Sequence, residues 1–450
     1  MTLPDQYTTQ DDDDDTTADP TPAPKLPRPD DNMLAKRWLF NNSSVAWGMG
    51  EWKKYKDGYW RKVDTDAVKN DIKKIIEAAS REGVRCTANL VHSVTELARL
   101  AVVIPHENWD ASPNLLPCKN GVLDIPSRTL LPHTPSIYAT SQLPFDYDPS
   151  ATCPAFMQAL QQIPEAIEFL QEFAGYALTP DTKYEIAIWL YGEPGTGKST
   201  VLEGLKAMLG TRAGILGLAD IERSKFALAN LPGKTLVVSA EQPDSFISLS
   251  YILNQIISGE TVTIERKHFD AIDITPRAKI VWAMNNLPRI TSSNDGIMRR
   301  VKVIKFPKLD AMQRDPDLKE RIKLEGAGIL NWALEGLDRL RTRGKFIIPQ
   351  SVVEATEDFK EHNDIIKQFL DDANATIDHY DPAVRTQSQF LYDRYKDWCI
   401  RNSHKPLSST RMADEWRRFG LDRVKIQGVA YWQGVELPTP SAFNSASYPP

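Results

Sequence analysis

Hydrophobic and polar positions change rhythm several times along this chain. Within residues 41–65, in SVAWGMGEWKKYKDGYWRKVD, apolar and polar residues alternate with a period of two, the pattern of half-buried strands. Asp57-Gly58 lies between two aromatic-rich runs and predicts a hairpin turn. The period then lengthens to that of a helix from Thr65 to Arg81 and again from Val91 to Val103. A Pro-rich connection follows, with Asn120-Gly121 and short strands at Gly121–Ile125 and around Leu130; residues 154–178 read as helices. Continuous apolar runs at Ile186–Tyr191, Thr235–Ser239 and Lys279–Met284 then alternate with helical stretches, which predicts a parallel sheet with crossover helices. Leu309–Arg343 is helical in pattern, and a further helix and linker extend to about Asp381. Near the end, helices at Gln387–Asn402 and Thr410–Phe419, the second capped by Ser408, Ser409 and Thr410, precede Val424–Gln427 and Val429–Trp432 around Gly428. Helix, helix and hairpin in that order suggest a winged-helix module, for which a DNA-binding wing and a plain packing role both fit.

Composition alters this picture mainly at the ends. The chain has 450 residues, enough for two or three domains, with 41% hydrophobic and 25% charged residues, the bulk of a soluble globular protein. The N-terminal stretch, with five aspartates at Asp11–Asp15 among Thr and Pro, lacks the apolar side chains to fold, and the Ser/Pro-rich end after Glu436 does too. The expected division is a disordered tail at 1–35, a small α+β domain at 36–180, a motor core at 181–345, a helical linker at 346–385, a winged-helix-like domain at 386–437 and a tail at 438–450. Net charge is -6, so a nucleic-acid footprint must be local if there is one. Cys86, Cys118, Cys153 and Cys399 lie far apart with no nearby His pair, which speaks against a zinc site or a disulfide framework. There is no signal-peptide core and no apolar run long enough to span a bilayer, so a cytoplasmic protein with no membrane partner is expected.

The chemistry enters at Ile186–Thr200, IAIWLYGEPGTGKST, a strand, a Gly-rich turn and a helix start. Gly192, Gly197, Lys198 and Ser199 satisfy G-x-x-x-x-G-K-[ST], the phosphate-binding loop. Its glycines let backbone N–H groups curl towards phosphate oxygens, and the helix adds its positive end. The loop from Gly192 through Glu193, Pro194, Gly195, Thr196, Gly197, Lys198 and Ser199 to Thr200 is the candidate cradle for ATP. Lys198 would reach the β- and γ-phosphates, and the Ser199 hydroxyl would bind Mg²⁺.

Three later features narrow the reading. The strand TLVVSAEQPD ends at Glu241, where a carboxylate can hold Mg²⁺ or polarise the attacking water. Ala240 stands where a second acid is usual, so Glu241 covers both roles or Asp244 assists. The strand KIVWAM ends at Asn285-Asn286, and Asn285, the first residue past the strand, is favoured to bond the γ-phosphate and orient water. Arg299-Arg300 follows, either as a guanidinium for transition-state charge, Arg299 being preferred, or as an intrachain salt bridge. Between these lies SGETVTIERKHFDAIDITPRAK, two strand-like runs around a basic tip. Arg266, Lys267 and His268 could grip a DNA backbone there, or form a basic surface loop. The span 263–305 holds nine Lys/Arg against four Asp/Glu, a net of +5 inside an acidic chain.

These elements in this order, GEPGTGKS, Glu241, ERKHFD, Asn285 and Arg299-Arg300, resemble the superfamily 3 helicases, most closely the helicase half of the phage and plasmid primase-helicases related to the poxvirus D5 type. YKDGYWRKVD, KNGVLDIPSRTLLPHTP and FLQEFAGYALTPD resemble the small domain preceding the motor in that family, so the likeness covers about residues 40–437. The resemblance implies an α/β, P-loop, AAA+-like motor in a hexameric ring around single-stranded DNA, moving 3′ to 5′. ATP would sit between subunits, with an arginine from the neighbour. It implies DNA unwinding in phage, prophage or mobile-element replication. The chain leaves no room for the N-terminal primase that family members often carry, so a separate primase partner is the expectation. An ATP-regulated replication initiator and another AAA+ remodelling ATPase are the competing readings.

Overall fold

The computed structural model describes residues 28–224, 226–240, 246–247, 250–266, 269–290, 295–308, 315–402, 404 and 406–438. Two units emerge, residues 28–54 with 62–104, and 55–61 with 105–438.

The first unit starts at α1 (Asp31–Asn41), whose N-cap Asp30 accepts a hydrogen bond from the Met33 N–H at 2.7 Å. That cap starts the helix inside the tail expected at 1–35. β1 (Val45–Gly48) pairs antiparallel with β2 (Glu51–Lys56), and β3 (Tyr59–Val63) completes a three-stranded sheet. The turn between β2 and β3 is the predicted one, with left-handed Asp57 (φ 53) and Gly58 (φ 90). α2 (Thr65–Ala78) and α3 (Ala88–Ala101) bury Val68, Ile72, Ile76, Val94 and Ala98 with Leu34, Trp38 and Trp52. Trp38, Trp47 and Trp52 meet edge to face at 5.5–5.6 Å. Trp38 and Trp52 are core, and half-buried Trp47 packs against them.

The second unit includes the hairpin tip, where Trp60 packs on Trp109 and Tyr138. β4 (Leu115–Cys118), β5 (Gly121–Asp124) and β6 (Thr129–Leu131) form a small antiparallel sheet. α4 (Pro154–Leu160) and α5 (Ile167–Ala177) follow. The boundary expected at residue 180 is not where packing divides the chain. α5 lies along α11 (Gly326–Arg343), where buried Glu172 pairs with Arg343 and Gln171 Nε2 donates to the Trp332 carbonyl at 2.7 Å.

The motor sheet is parallel throughout. Its members are β7 (Ala187–Tyr191), β8 (Ala213–Ile215), β9 (Leu236–Ser239), β13 (Lys279–Met284) and β15 (Val301–Lys305), in the order β15-β7-β13-β9-β8. Side chains alternate strictly between two cores. Ile188, Leu190, Val281, Ala283 and Val238 face α5, α6 (Lys198–Leu209) and α11. Ala187, Trp189, Trp282, Met284 and Val303 face the other core, with Trp189 and Trp282 stacked at 6.1 Å. Between β8 and β13 lie α7 (Leu218–Arg223), β10 (Phe246–Ile247), α8 (Ser250–Ser258) and the hairpin β11 (Val262–Arg266)–β12 (Phe269–Ile274). β14 (Arg289–Ile290) pairs with β10, and α9 (Asp295–Arg300) leads into β15.

After α10 (Leu318–Leu324) and α11, the expected linker divides between two cores. α12 (Gln350–Asn363) belongs to the motor: Phe359 is buried 5.0 Å from Trp189, and Thr356 Oγ1 accepts from the Val303 N–H at 3.0 Å. α13 (Ile365–Asp372) belongs to the C-terminal module, where Ile366, Phe369 and Leu370 pack on Leu391, Tyr395 and Trp416. β16 (Thr376–Ile377) pairs with β20 (Val435–Glu436). Around them stand β17 (Arg385–Gln387), α14 (Ser388–Arg401), α15 (Ser409–Arg418), β18 (Asp422–Ile426) and β19 (Val429–Gln433). The sheet order is β17-β19-β18, so the predicted hairpin gains a third strand that the sequence pattern missed.

Candidate functional site

Because β7, β9 and β13 are parallel neighbours, their carboxyl ends emerge along one edge, where ligands of open α/β sheets bind. β7 feeds the phosphate loop there. Gly197 holds φ 85, a left-handed conformation that glycine adopts without strain. α6 starts at the next residue. The Lys198 ammonium is buried and donates to the Gly192 carbonyl at 2.6 Å, the Glu193 carbonyl at 2.7 Å and Thr196 Oγ1 at 3.3 Å. That burial lowers its pKa from the ordinary lysine value.

A cavity of about 320 Å³ opens over the loop. Pro194 to Thr200 line it, with Ala240 at the end of β9, Asn285 after β13 and Gln162 beside Gly197. Asp315, Leu318 and Lys319, at the start of α10, close one side. The two asparagines after β13 part company. Asn285 lines the loop cavity, whereas Asn286 lines a separate cleft of about 590 Å³ with Lys305, Asp358, Glu361, Lys367 and Asp371. Glu241 and Asp244 lie outside the described residues, although β9 delivers the chain to the cavity wall one residue before Glu241. Ser199 lines the cavity in the first turn of α6, a hydroxyl donor fit for Mg²⁺ alongside nucleotide phosphates. Among the described residues no cluster of three or more His, Cys, Asp or Glu could hold a metal by itself.

Geometry separates the twin arginines. Arg300 is 9% exposed; its Nη2 pairs with Glu185 Oε2 at 2.6 Å, and its Nη1 donates to the Gly296 carbonyl at 3.0 Å. Arg299 is 68% exposed and touches the same Glu185 oxygen at only 3.5 Å. Arg300 is thus the intrachain salt bridge, and Arg299 is available to another surface.

The β11–β12 hairpin exists as the alternation suggested, with an irregularity between Ile264 and Arg266. Its tip, Lys267 and His268, lies outside the described residues, and of Arg266 only the backbone position is described. The +5 charge of span 263–305 overstates its surface charge. Arg277 donates to the Trp109 carbonyl at 2.6 Å, Lys279 is buried against the Thr179 carbonyl and the Tyr176 ring, Lys302 donates to the Arg299 carbonyl at 2.6 Å, and Arg300 is internal. Sequence reasoning also missed Gln162, Asp315 and Lys319. Gln162 and Asp315 come from connections and Lys319 from the first turn of α10, with no motif spacing, so only tertiary packing brings them to the loop.

Comparison with known proteins agrees with this arrangement. Residues 40–165 match the family model described as D5 N terminal like, and residues 190–300 match a family of unknown function, DUF5906. A helicase-named protein, L207/L206, of Acanthamoeba polyphaga mimivirus is 22% identical over 329 residues, covering 66% of this chain and 34% of that protein. A helicase-named protein, 121R, of Invertebrate iridescent virus 3 is 22% identical over 347 residues, covering 65% and 36%. The chain thus spans about a third of the length of the curated relatives it matches. Two structures of the C-terminal region of NrS-1 share its fold, at TM-scores of 0.53 and 0.50, with 12% and 13% identity. They cover 91% and 90% of this chain and 100% and 99% of theirs. Among the described residues no helix is long and apolar enough to cross a membrane.

Proposed function

We propose that the chain, similar to the helicase half of the D5-like primase-helicases, is an ATP-dependent DNA helicase of superfamily 3 type. It acts in replication of a phage, prophage or mobile element, as a ring on single-stranded DNA. One observation carries the reading: the phosphate loop, the end of β9 and Asn285 meet in one cavity at the carboxyl edge of a parallel sheet. A nucleotide-binding module without hydrolysis needs the loop, but it does not need a polar side chain from β13 beside it.

In this reading the loop N–H groups and the start of α6 bind the β-phosphate. The Lys198 N–H donors turn from the loop carbonyls to the β- and γ-phosphates, whose negative charge offsets the burial that disfavours the ammonium. Mg²⁺, held by Ser199 and Glu241 with the phosphates, supplies charge neutralisation when bound. Glu241 takes the proton of the attacking water as the γ-phosphorus–oxygen bond to ADP breaks, and Asn285 fixes the water's orientation. Arg299 of a neighbouring copy meets the developing charge, which makes turnover depend on assembly. Arg266, Lys267 and His268 hold the strand and move with the nucleotide state, and β17 to β19 with α13 to α15 serve as a winged-helix-like module.

Strand displacement tests this. The purified chain with ATP and Mg²⁺ should release a labelled strand from a forked duplex, and Lys198→Ala should not. DNA binding without ATP-driven release in the wild type would replace the helicase with the ATP-regulated initiator.

A further inference from the structure

We propose that the C-terminal module carries its own anion site, which takes the phosphodiester backbone of DNA apart from the motor's hairpin; this rests on the helicase reading above. α14, α15 and the β18–β19 hairpin enclose a cavity of about 340 Å³. Two guanidiniums converge on it. The Cζ atoms of Arg417 and Arg423 each stand 6.0 Å from the centroid of the Trp432 ring. Trp432 is buried and pairs with Arg423 across the β18–β19 ladder, so register holds the Arg423 side chain over the ring. At that distance each guanidinium sits at the outer range of a cation–π contact with the ring, and its planar N–H fork is the edge that matches a phosphate.

Charge and donors at the cavity agree with that ligand. Asp414 pairs with Arg417 at 2.7 Å and is the one carboxylate lining the cavity, so two guanidiniums face a single acid. Ser409 and Thr410, in the first turn of α15, add hydroxyl donors to the wall. Ser388, in the first turn of α14, adds another: its Oγ is shielded from solvent and has no hydrogen-bond partner. The module as a whole, residues 365–437, is close to neutral, with eleven Lys/Arg against ten Asp/Glu, and its positive charge gathers in residues 388–437, nine against six, where the cavity lies. Two arginines with surrounding hydroxyls make non-specific backbone contacts, which carry affinity without reading sequence.

The test is fluorescence anisotropy of the full chain on a labelled forked duplex, without ATP, across a salt series. Arg417→Ala/Arg423→Ala should bind more weakly, with a slope of log affinity against log salt shallower by about 2, one unit per lost phosphate contact. Both arginines are exposed, so basal ATP turnover and the unfolding temperature should match the wild type. Arg417→Lys/Arg423→Lys, which keeps the charge, should recover most of the slope. Equal affinity and equal slope in the wild type and the double alanine variant would overturn the proposal. A wild type that shows the steep slope, loses it in the double alanine variant, yet never displaces a strand would remove the helicase reading and leave this site standing.

Discussion

Arg299→Ala and Arg300→Ala, one residue apart, should fail in opposite ways. Arg300 is almost wholly buried, with an ion pair to Glu185 at 2.6 Å and a bond to the Gly296 carbonyl at 3.0 Å. Truncating it leaves that carbonyl short of a donor and Glu185 without its close partner. Glu185 is 40% exposed, so water recovers part of the loss, and the cost is about 2–3 kcal/mol rather than the full value for a dry pair. For a motor of this size that lowers the unfolding temperature by about 5–10 °C. Arg299 is 68% exposed with one long contact, so its removal should leave the unfolding temperature where it is. If its guanidinium stabilises the transition state in a neighbouring copy, turnover should fall on the order of 10³-fold. Thermal unfolding and ATP turnover on both variants separate the two roles. Mixing Arg299→Ala with Lys198→Ala should restore turnover, because some interfaces then combine an intact loop with an intact arginine. An Arg299→Ala variant that hydrolyses ATP normally, or a mixture that recovers nothing, would refute an arginine acting between subunits.

Other consequences are as direct. Gly197→Ala should abolish nucleotide binding in a fluorescent-ATP titration while costing only about 1–2 kcal/mol of stability, since a side chain at φ 85 distorts the loop rather than the core. Phe359→Ala should destabilise the motor by about 4 kcal/mol in urea unfolding, because α12 is core and not linker; a loss under 1 kcal/mol would contradict that placement. Burial pushes the Cys118 and Cys153 thiols up to about 12, so the folded chain keeps those protons to higher pH than the unfolded chain. Their contribution to stability is intact below about pH 8.5 and is lost as pH rises towards 12, so Cys118→Val should show a shallower alkaline loss than the wild type; parallel curves would contradict it.

Local pattern anticipated what local pattern determines. The run Lys279–Met284 is a strand over those same residues, and Asp57-Gly58 turns a hairpin, because a short continuous apolar run and a left-handed dipeptide are properties of neighbours. The phosphate loop was legible because its backbone geometry demands particular residues at particular steps. The order β15-β7-β13-β9-β8 was not, since strand neighbours depend on crossover paths that carry no residue signature. Charge counting failed for a related reason: Lys279 and Arg300 look like surface cations in sequence, yet fold inward onto carbonyls, a ring and Glu185. Arg299 and Arg300 could be told apart only by which one α9 turns inward. α12 resembled a linker because its apolar stripe is sparse, only Val352, Ala355 and Phe359 of its apolar residues being buried.

The central claim is a motor that couples ATP to DNA through the β11–β12 hairpin. Its most direct test is ATP turnover with and without single-stranded DNA, for the wild type and for Lys267→Ala. The account predicts that DNA stimulates the wild type, and that Lys267→Ala keeps basal turnover but loses the stimulation. Turnover that ignores DNA in both proteins would contradict it.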